Sequence, residues 1–428
     1  MPPAVWMNGL SDPVGRTLLR PDHRPRCNHR ARVPRPCLVV LAASLDDLIT
    51  ERLPHLYPAT IEDMRQTRHV AIAGGGIIGL ACALVLQRRG LKVTLFEAGE
   101  AAKEASWAAG GMLAVDDPKN LAAMLPLSSY SRDVYGKFLQ EIDELSGQRV
   151  PLRTQETVQV LGAERTTAAG VSLSHDEALR LVPGLADAGH RYLLLQEASL
   201  DPRELCLALR SAALAAGVVL REHERVASVE AAGQEVLLTT VHGAMRAAAF
   251  VNCCGAWADS LDASAEIAPC KGHMLVVAQP AGPRLTRVLR SPDVYLIPRG
   301  DGRILIGATI EDAGYSRQID PAALSLLRQR AAALWPPAAE APELESWTGL
   351  RPGTPDGLPL IGRYEDNGAV PRFLAAGHYR NGILLAPGTA YAIADLVCGT
   401  TPSIDLAPFA PSRASIPASC DKHFAAAL

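Results

Sequence analysis

The feature that most constrains this chain is a strand, a glycine-rich turn and a helix in immediate succession. Residues 70–73 form a short β-prone apolar run that breaks at Gly74-Gly75-Gly76-Ile77-Ile78-Gly79. Good helix formers fill residues 80–89, with basic side chains in the last turn and Gly90 as the stop. Residues 91–97 then supply a second strand. In such a unit Gly74 permits the tight turn, Gly76 lets backbone approach a pyrophosphate, and Gly79 permits close helix–strand packing. The helix N-terminus turns unpaired N–H groups and a partial positive charge toward the phosphates, with Ile77 and Ile78 of the turn among the cofactor contacts. Glu97, followed by Ala98, is spaced to accept hydrogen bonds from ribose hydroxyls, and its charge disfavours a 2′-phosphate. The pattern implies a dinucleotide, FAD or NAD, and does not choose between them.

The 428 residues exceed one simple core and fit two domains, or a nucleotide-binding domain with a substrate domain built into it. With 48% apolar and 20% charged residues, the composition is that of a globular protein. A formal charge of -3 gives no electrostatic reason to expect nucleic acid or an anionic membrane surface as partner. No apolar run reaches the roughly 20 residues a spanning helix needs. Nine cysteines are scattered without a C-x-x-C pair, which argues against a zinc site or a disulfide framework and for reduced thiols in the cytoplasm. The adjacent Cys253 and Cys254 lie in an apolar run that reads as a buried strand.

Residues 1–67 differ from the rest. Arg16, Arg20, Arg24, Arg26, Arg30, Arg32 and Arg35 follow one another among prolines. The stretch therefore reads as a disordered extension, or as residues preceding a translation start at Met64. The apolar run at 38–45 comes late for a secretion signal and is followed at once by Asp46 and Asp47.

Residues 105–113 (Ala-Ser-Trp-Ala-Ala-Gly-Gly-Met-Leu) are small enough to let backbone run close to a large flat ligand. Here the chain resembles the D-amino acid oxidase superfamily of FAD enzymes, and in particular the glycine oxidases of thiamine biosynthesis. The resemblance implies FAD contacts at Ala105, Ser106, Gly110, Gly111 and Met112. It extends to the apolar run 250–254, which breaks at Gly255-Ala256-Trp257 and adds Gly255 and Trp257 to the cofactor site. Val226 matches the position whose backbone meets adenine. A helix just upstream is readable without any family: Asp201 as N-cap, Pro202 in the first position, Glu204 completing a capping box, and Leu205, Leu209 and Ala213 on its apolar face.

Two later segments, residues 347–357 and 377–387, carry the most diagnostic resemblance to glycine oxidases. Arg351 matches the arginine that grips the substrate carboxylate, a task suited to a planar fork that makes two charge-assisted hydrogen bonds. Tyr295 matches an active-site tyrosine that helps hold that carboxylate. His378, Tyr379, Arg380, Asn381, Gly382, Ile383 and Leu384 match the loop beneath the flavin. They open a helix running from Ile383 toward Val397, whose dipole would favour negative charge on the reduced ring. Arg380 also matches a substrate contact. Residues 304–310 read as a strand walling the substrate domain. Two positions depart from the family pattern: His273, where Gln or Glu stands, and Asp293, where glycine oxidases carry His. Both bear on the polarity of the pocket.

The resemblance covers residues 68–399 and implies an α/β fold: a Rossmann-like FAD-binding domain with an interleaved α+β substrate domain built on an antiparallel sheet. The expected boundaries are 68–150, 196–262 and 346–405 for the FAD domain, 151–195 and 263–345 for the substrate domain, and 406–428 as a tail. The implied reaction is oxidation of glycine or a small relative, with oxygen as acceptor and no side-chain acid or base, the flavin carrying the chemistry. No metal is expected. Some sarcosine oxidases carry a flavin-linked cysteine where Gly349 stands, so the FAD is expected to be non-covalent. A homo-oligomer is expected, since the family often forms tetramers. Sarcosine and D-amino acid oxidases or dehydrogenases are the nearest alternatives. An NAD dehydrogenase and a non-catalytic or tRNA-modification-associated FAD protein are more distant ones.

Overall fold

A computed structural model of the chain describes residues 68–162, 169–187, 191–364 and 370–413. The expectations for residues 1–67, including the start at Met64, and for the tail beyond residue 413 lie outside the described residues. Seven helices are labelled here: α1 (Ile77–Arg88), α2 (Ala105–Ala108), α3 (Leu125–Ser146), α4 (His175–Leu181), α5 (Pro202–Ala215), α6 (Pro321–Leu334) and α7 (Gly382–Cys398).

The glycine-rich unit sits at the centre of a six-stranded sheet. His69–Ala73 pairs in parallel with Lys92–Phe96 on one side and Ala249–Asn252 on the other, and Val219–Arg221 and Arg372–Ala376 extend it in parallel. Leu360–Arg363 closes one edge in antiparallel orientation. Because side chains alternate along a strand, Val70 and Ile72 face a core shared with α1, α5 and α7. Ala71 and Ala73 face the other way, onto Val226, Val236 and Leu238 of a three-stranded antiparallel sheet. Helix α1 is apolar throughout, and every residue from Ile77 to Leu86 is buried. An all-round apolar helix needs cover on every side. The sheet, α5 and α7 provide it.

A second, eight-stranded sheet carries the strands Glu343–Gly353, Ala268–Ala278, Arg303–Gly307, Tyr295–Pro298 and Val288–Arg290 in antiparallel succession. Val288–Arg290 then pairs in parallel with Thr157–Leu161, the one parallel step in this sheet. Alternation again sorts the faces. Leu275 and Val277 pack with Leu327, Ala331 and the buried Trp335, whereas Met274 and Val276 turn toward Met112 and Tyr295.

Four local readings change in the structure. Helix α1 starts at Ile77 rather than residue 80, with Gly76 as its N-cap, so Gly79 lies inside the first turn. Asp201 caps α5 through the Arg203 N–H at 2.9 Å, but Glu204 does not reach back to complete a box; it ion-pairs with Arg153. The strand expected over 304–310 ends at Gly307, because the next residues leave the sheet. The strand expected over 250–254 ends at Asn252, with Cys253 and Cys254 in the turn that follows.

Helix α7 runs to Cys398 and ends on Gly399 in the left-handed region, φ +74°. It contains Pro387, which has no N–H for the carbonyl of Ile383. Helix α3 repairs the break. The buried Tyr135 hydroxyl donates to the Ile383 carbonyl at 3.0 Å, and the Gly388 N–H donates to Ser131 Oγ at 3.0 Å. A Cβ on residue 388 would lie 2.2 Å from Ser131 Oγ, so glycine is what allows the helices to approach this closely. Tyr135→Phe leaves that carbonyl buried without a donor and should cost about 1–3 kcal/mol. Urea unfolding should register this as a lower midpoint at unchanged m-value.

Candidate active site

Two cavities meet in the structure. The longer, about 430 Å³, begins at the carboxyl end of the strand His69–Ala73 and is lined by Gly74, Gly76, Ile77, Ile78, Glu97, Ala98, Ala105, Ser106, Val226, Gly255 and Trp257. His378, Tyr379, Arg380, Gly382 and Ile383 line its other end. The turn is built by exclusion. Gly74 has φ +99°, and a Cβ there would lie 2.3 Å from the Cys253 carbonyl oxygen. A Cβ on Gly79 would lie 1.9 Å from the Gly74 carbonyl oxygen, so Gly79 serves packing and lines neither cavity. Gly76 is open by contrast, its nearest neighbour being Ser106 Oγ at 3.4 Å. Ser106 Oγ accepts the Ile77 N–H at 2.9 Å, holding a hydroxyl over the N-terminus of α1. Glu97 takes the Gly75 and Gly99 N–H groups on separate oxygens, at 2.7 and 2.8 Å. A carboxylate has about four lone-pair sites, so acceptor capacity is left for ribose hydroxyls.

The smaller cavity, about 130 Å³, shares Ala105, Ala109, Tyr379, Arg380 and Ile383 with the first. Gly110, Gly111, Met112, Tyr295, Gly349, Arg351, Arg380 and Asn381 are among its walls. Arg351 stands opposite Cys270, and its guanidinium lies flat over Gly272, where a Cβ would come within 2.3 Å of Nη2. Its Nη1 donates to the Thr309 carbonyl at 3.2 Å. Burial works against the Arg351 charge, but Tyr295, Cys270 and Tyr379 around it prevail, and its pKa rises. Tyr295 is wedged beside Gly307, where a Cβ would lie 2.6 Å from the ring. Burial pushes the Tyr295 phenol up, so it remains a neutral donor. Two glycines thus make room for two of the side chains that line the cavity.

Three site residues behave differently from expectation. Arg380 lines both cavities, but its Nη2 donates to Asp117 Oδ2 at 2.9 Å rather than standing free. His378 turns its imidazole inward to Thr389 at 3.0 Å, and burial drops its pKa to about 3, so what it offers the cleft is neutral. Leu384 packs in the core and lines neither cavity. Of the two departures from the family pattern, His273 points away, between Glu311 at 2.7 Å and the Asp320 N–H at 2.8 Å, whereas Asp293 lines the smaller cavity.

A charged wall that no sequence motif marks lies behind Arg380. Buried Arg290 lies 3.8 Å from Asp117 and 2.9 Å from Glu197, and its Nε donates to Gln159. Burial alone would raise the Asp117 carboxyl, but Arg290 and Arg380 outweigh it and hold the pKa at about 2. The stabilisation from that depressed value is complete above the unfolded pKa of about 4 and is lost as pH falls through about 2. Glu197 is pushed up, chiefly by burial. Residues 117, 159, 197 and 290 lie on four separate segments and have no shared spacing that a sequence reading could detect.

The residues present fit FAD. A cradle closed to side chains at Gly74 and open at Gly76 meets the N-terminus of α1, an acidic side chain ends the second strand, and the cleft continues to the N-terminus of α7 beside Arg351. Gly74→Ala combines a disfavoured φ with a collision against backbone. The variant should purify with little or no flavin absorbance per chain while keeping its circular dichroism spectrum.

Among curated proteins, the chain is 34% identical to glycine oxidase of Geobacillus kaustophilus over 366 residues, covering 80% of this chain and 96% of that one. It is 35% identical to the bifunctional protein ThiO/ThiG of Synechocystis over 362 residues, which is 82% of this chain and 54% of the longer relative. The crystal structure of glycine oxidase from Geobacillus kaustophilus superposes with a TM-score of 0.76 at 32% identity, covering 81% of this chain and all of that one. The family described as DAO, FAD dependent oxidoreductase, matches residues 69–396, and the chain belongs to it.

Proposed function

We propose that this enzyme catalyses the oxidative deamination of glycine or a related small amino acid: glycine, oxygen and water give glyoxylate, ammonia and hydrogen peroxide. The observation that carries the reading is the buried Arg351 facing a cavity of about 130 Å³ that opens onto the dinucleotide cleft. Ligand cavities commonly span about 300–1,000 Å³. One this small selects a small substrate. The likeness to glycine oxidases supports the choice of glycine, and the likeness to ThiO/ThiG supports a role in supplying thiamine thiazole synthesis.

Arg351 binds the substrate carboxylate with two parallel charge-assisted hydrogen bonds, and the neutral Tyr295 hydroxyl donates a further one. Together they fix the α-carbon toward the shared wall of the two cavities. Met112 and the small residues Ala108, Gly110 and Gly111 exclude water on that side. No side chain acts as acid or base: Asp117 is committed to Arg380 and Arg290, and His378 to Thr389. When bound, FAD would supply the two-electron oxidation of the substrate, with oxygen as the final acceptor. The N-terminus of α7, whose Gly382 and Ile383 line the cleft, would contribute positive potential where the two cavities meet. Arg380, fixed by Asp117, adds charge at the same junction.

The assignment of FAD to segments 68–150, 196–262 and 346–405 and of substrate to 151–195 and 263–345 belongs to the same reading. So does a homo-oligomer in the cytoplasm; among the described residues no helix is long and apolar enough to cross a membrane. Gly349 stands where a flavin-linked cysteine would be needed, with Ala108 Cβ only 2.6 Å from the position of a Cβ. Flavin should therefore pass wholly into the supernatant on acid precipitation. The function itself is tested by peroxide release with glycine, sarcosine, D-alanine and D-proline. Glycine should be oxidised, and Arg351→Ala should lower kcat/KM about 30-fold or more, the loss of one partner of a buried charge pair. Peroxide from none of these amines, with FAD bound, would overturn the reading.

A further inference from the structure

After the strand Arg303–Gly307 the chain leaves the second sheet, crosses to the mouth of the dinucleotide cleft and returns to α6. Both ends of this crossing are pinned by one buried imidazole. The Asp320 N–H can only donate, so His273 Nε2 accepts it at 2.8 Å, and His273 Nδ1–H is left to donate to Glu311 Oε1 at 2.7 Å. Glu311 is bound a second time, by reciprocal backbone hydrogen bonds with Lys271 at 3.0 Å. The segment between these pins reaches the cleft through two side chains. The Tyr315 ring stacks on Trp257, centroids 5.6 Å apart and planes 28° apart, and its hydroxyl donates to the Ala256 carbonyl at 2.9 Å. Arg317 lies 5.6 Å from the Trp257 ring on a line over it, pairs with Glu104 at 2.7 Å, and itself lines the cleft. The Thr348 hydroxyl fixes the Arg317 carbonyl at 2.9 Å.

We propose that residues 311–320 form a clasp for FAD, in which Tyr315 buttresses Trp257 against the cofactor and Arg317 presents positive charge to its anionic pyrophosphate. Several observations meet here. Trp257 and Arg317 are both cleft walls, so their positions set the opening through which the dinucleotide passes. Glu104 immediately precedes α2, whose Ser106 crowns the N-terminus of α1. A carboxylate so near a phosphate site opposes an anion, and Arg317 cancels it. The Arg317–Glu104 pair is half exposed, at 53% and 40%, and such pairs exchange partners at little cost. His273 carries no other duty in the cavities, which gives this departure from the family pattern a function: it ties the clasp at both ends.

The test reads cofactor release without substrate, so it stands whether or not glycine is oxidised. FAD-loaded protein is diluted into buffer and the rise in flavin fluorescence is followed for the parent chain, Tyr315→Ala and Arg317→Ala. Each substitution should speed release about tenfold, as expected for losing one stacked ring or one cation over a ring. Arg317→Ala should also slow rebinding to the apoprotein and weaken its dependence on salt. Release within twofold of the parent for Arg317→Ala, whose half-exposed side chain can be removed without disturbing the core, would overturn the proposal. The same release rate for a folded Tyr315→Ala would do so as well.

Discussion

Among the described glycines, Gly79 is the one with least room for a side chain, and what fills that room is another glycine. The Gly74 carbonyl oxygen occupies the place where a Cβ of residue 79 would be, and the space beside Gly74 is filled by the Cys253 carbonyl. This contact seats α1 against the end of its own strand and against the neighbouring strand Ala249–Asn252 at once. The depth of α1 in the core, the direction of its N-terminus and the place where the cleft opens follow from it. The burial of α1 on all sides, and the layering of α5 and α7 over it, are the hydrophobic consequence of putting that helix there.

Much of the sheet around this contact was legible in the sequence, because it is encoded locally. Strand alternation, the glycine spacing and the Asp201 cap each occupy a few consecutive residues, and their physics acts over the same range. Errors came where distant residues competed with local ones. Glu204 suits a capping box, but Arg153, 51 positions earlier in the chain, offers a full charge and takes it. Gly76 could cap a helix or belong to a turn, and the anion-facing geometry of the cleft selects the first.

The site was legible in part. Arg351 and Tyr295 were singled out by resemblance, and the structure adds that each depends on a glycine across the strand ladder, Gly272 and Gly307. Pairing register is invisible to a sequence read along the chain. The charged wall was invisible for the same reason, since Asp117, Gln159, Glu197 and Arg290 come together only when the second sheet is assembled. His273 illustrates the opposite case. It stood out as a departure from a pattern, yet its neighbours in sequence, Gly272 and Met274, are the ones that face the cavity.

The wall behind Arg380 also bears on how this protein can change. Arg290, Asp117 and Glu197 are held there with almost no access to water, and Arg380 joins them from the cavity side. Removing Arg290 or Asp117 alone leaves an uncompensated charge in a region that cannot hydrate it, so a first change at either residue is destabilising. A second change of opposite sign restores neutrality, and the two together differ from the sum of their separate effects. Variation at Asp117 and Arg290 is therefore confined to coupled substitutions, whereas at Gly349 the limit is space alone, with Ala108 Cβ 2.6 Å from where a Cβ would be.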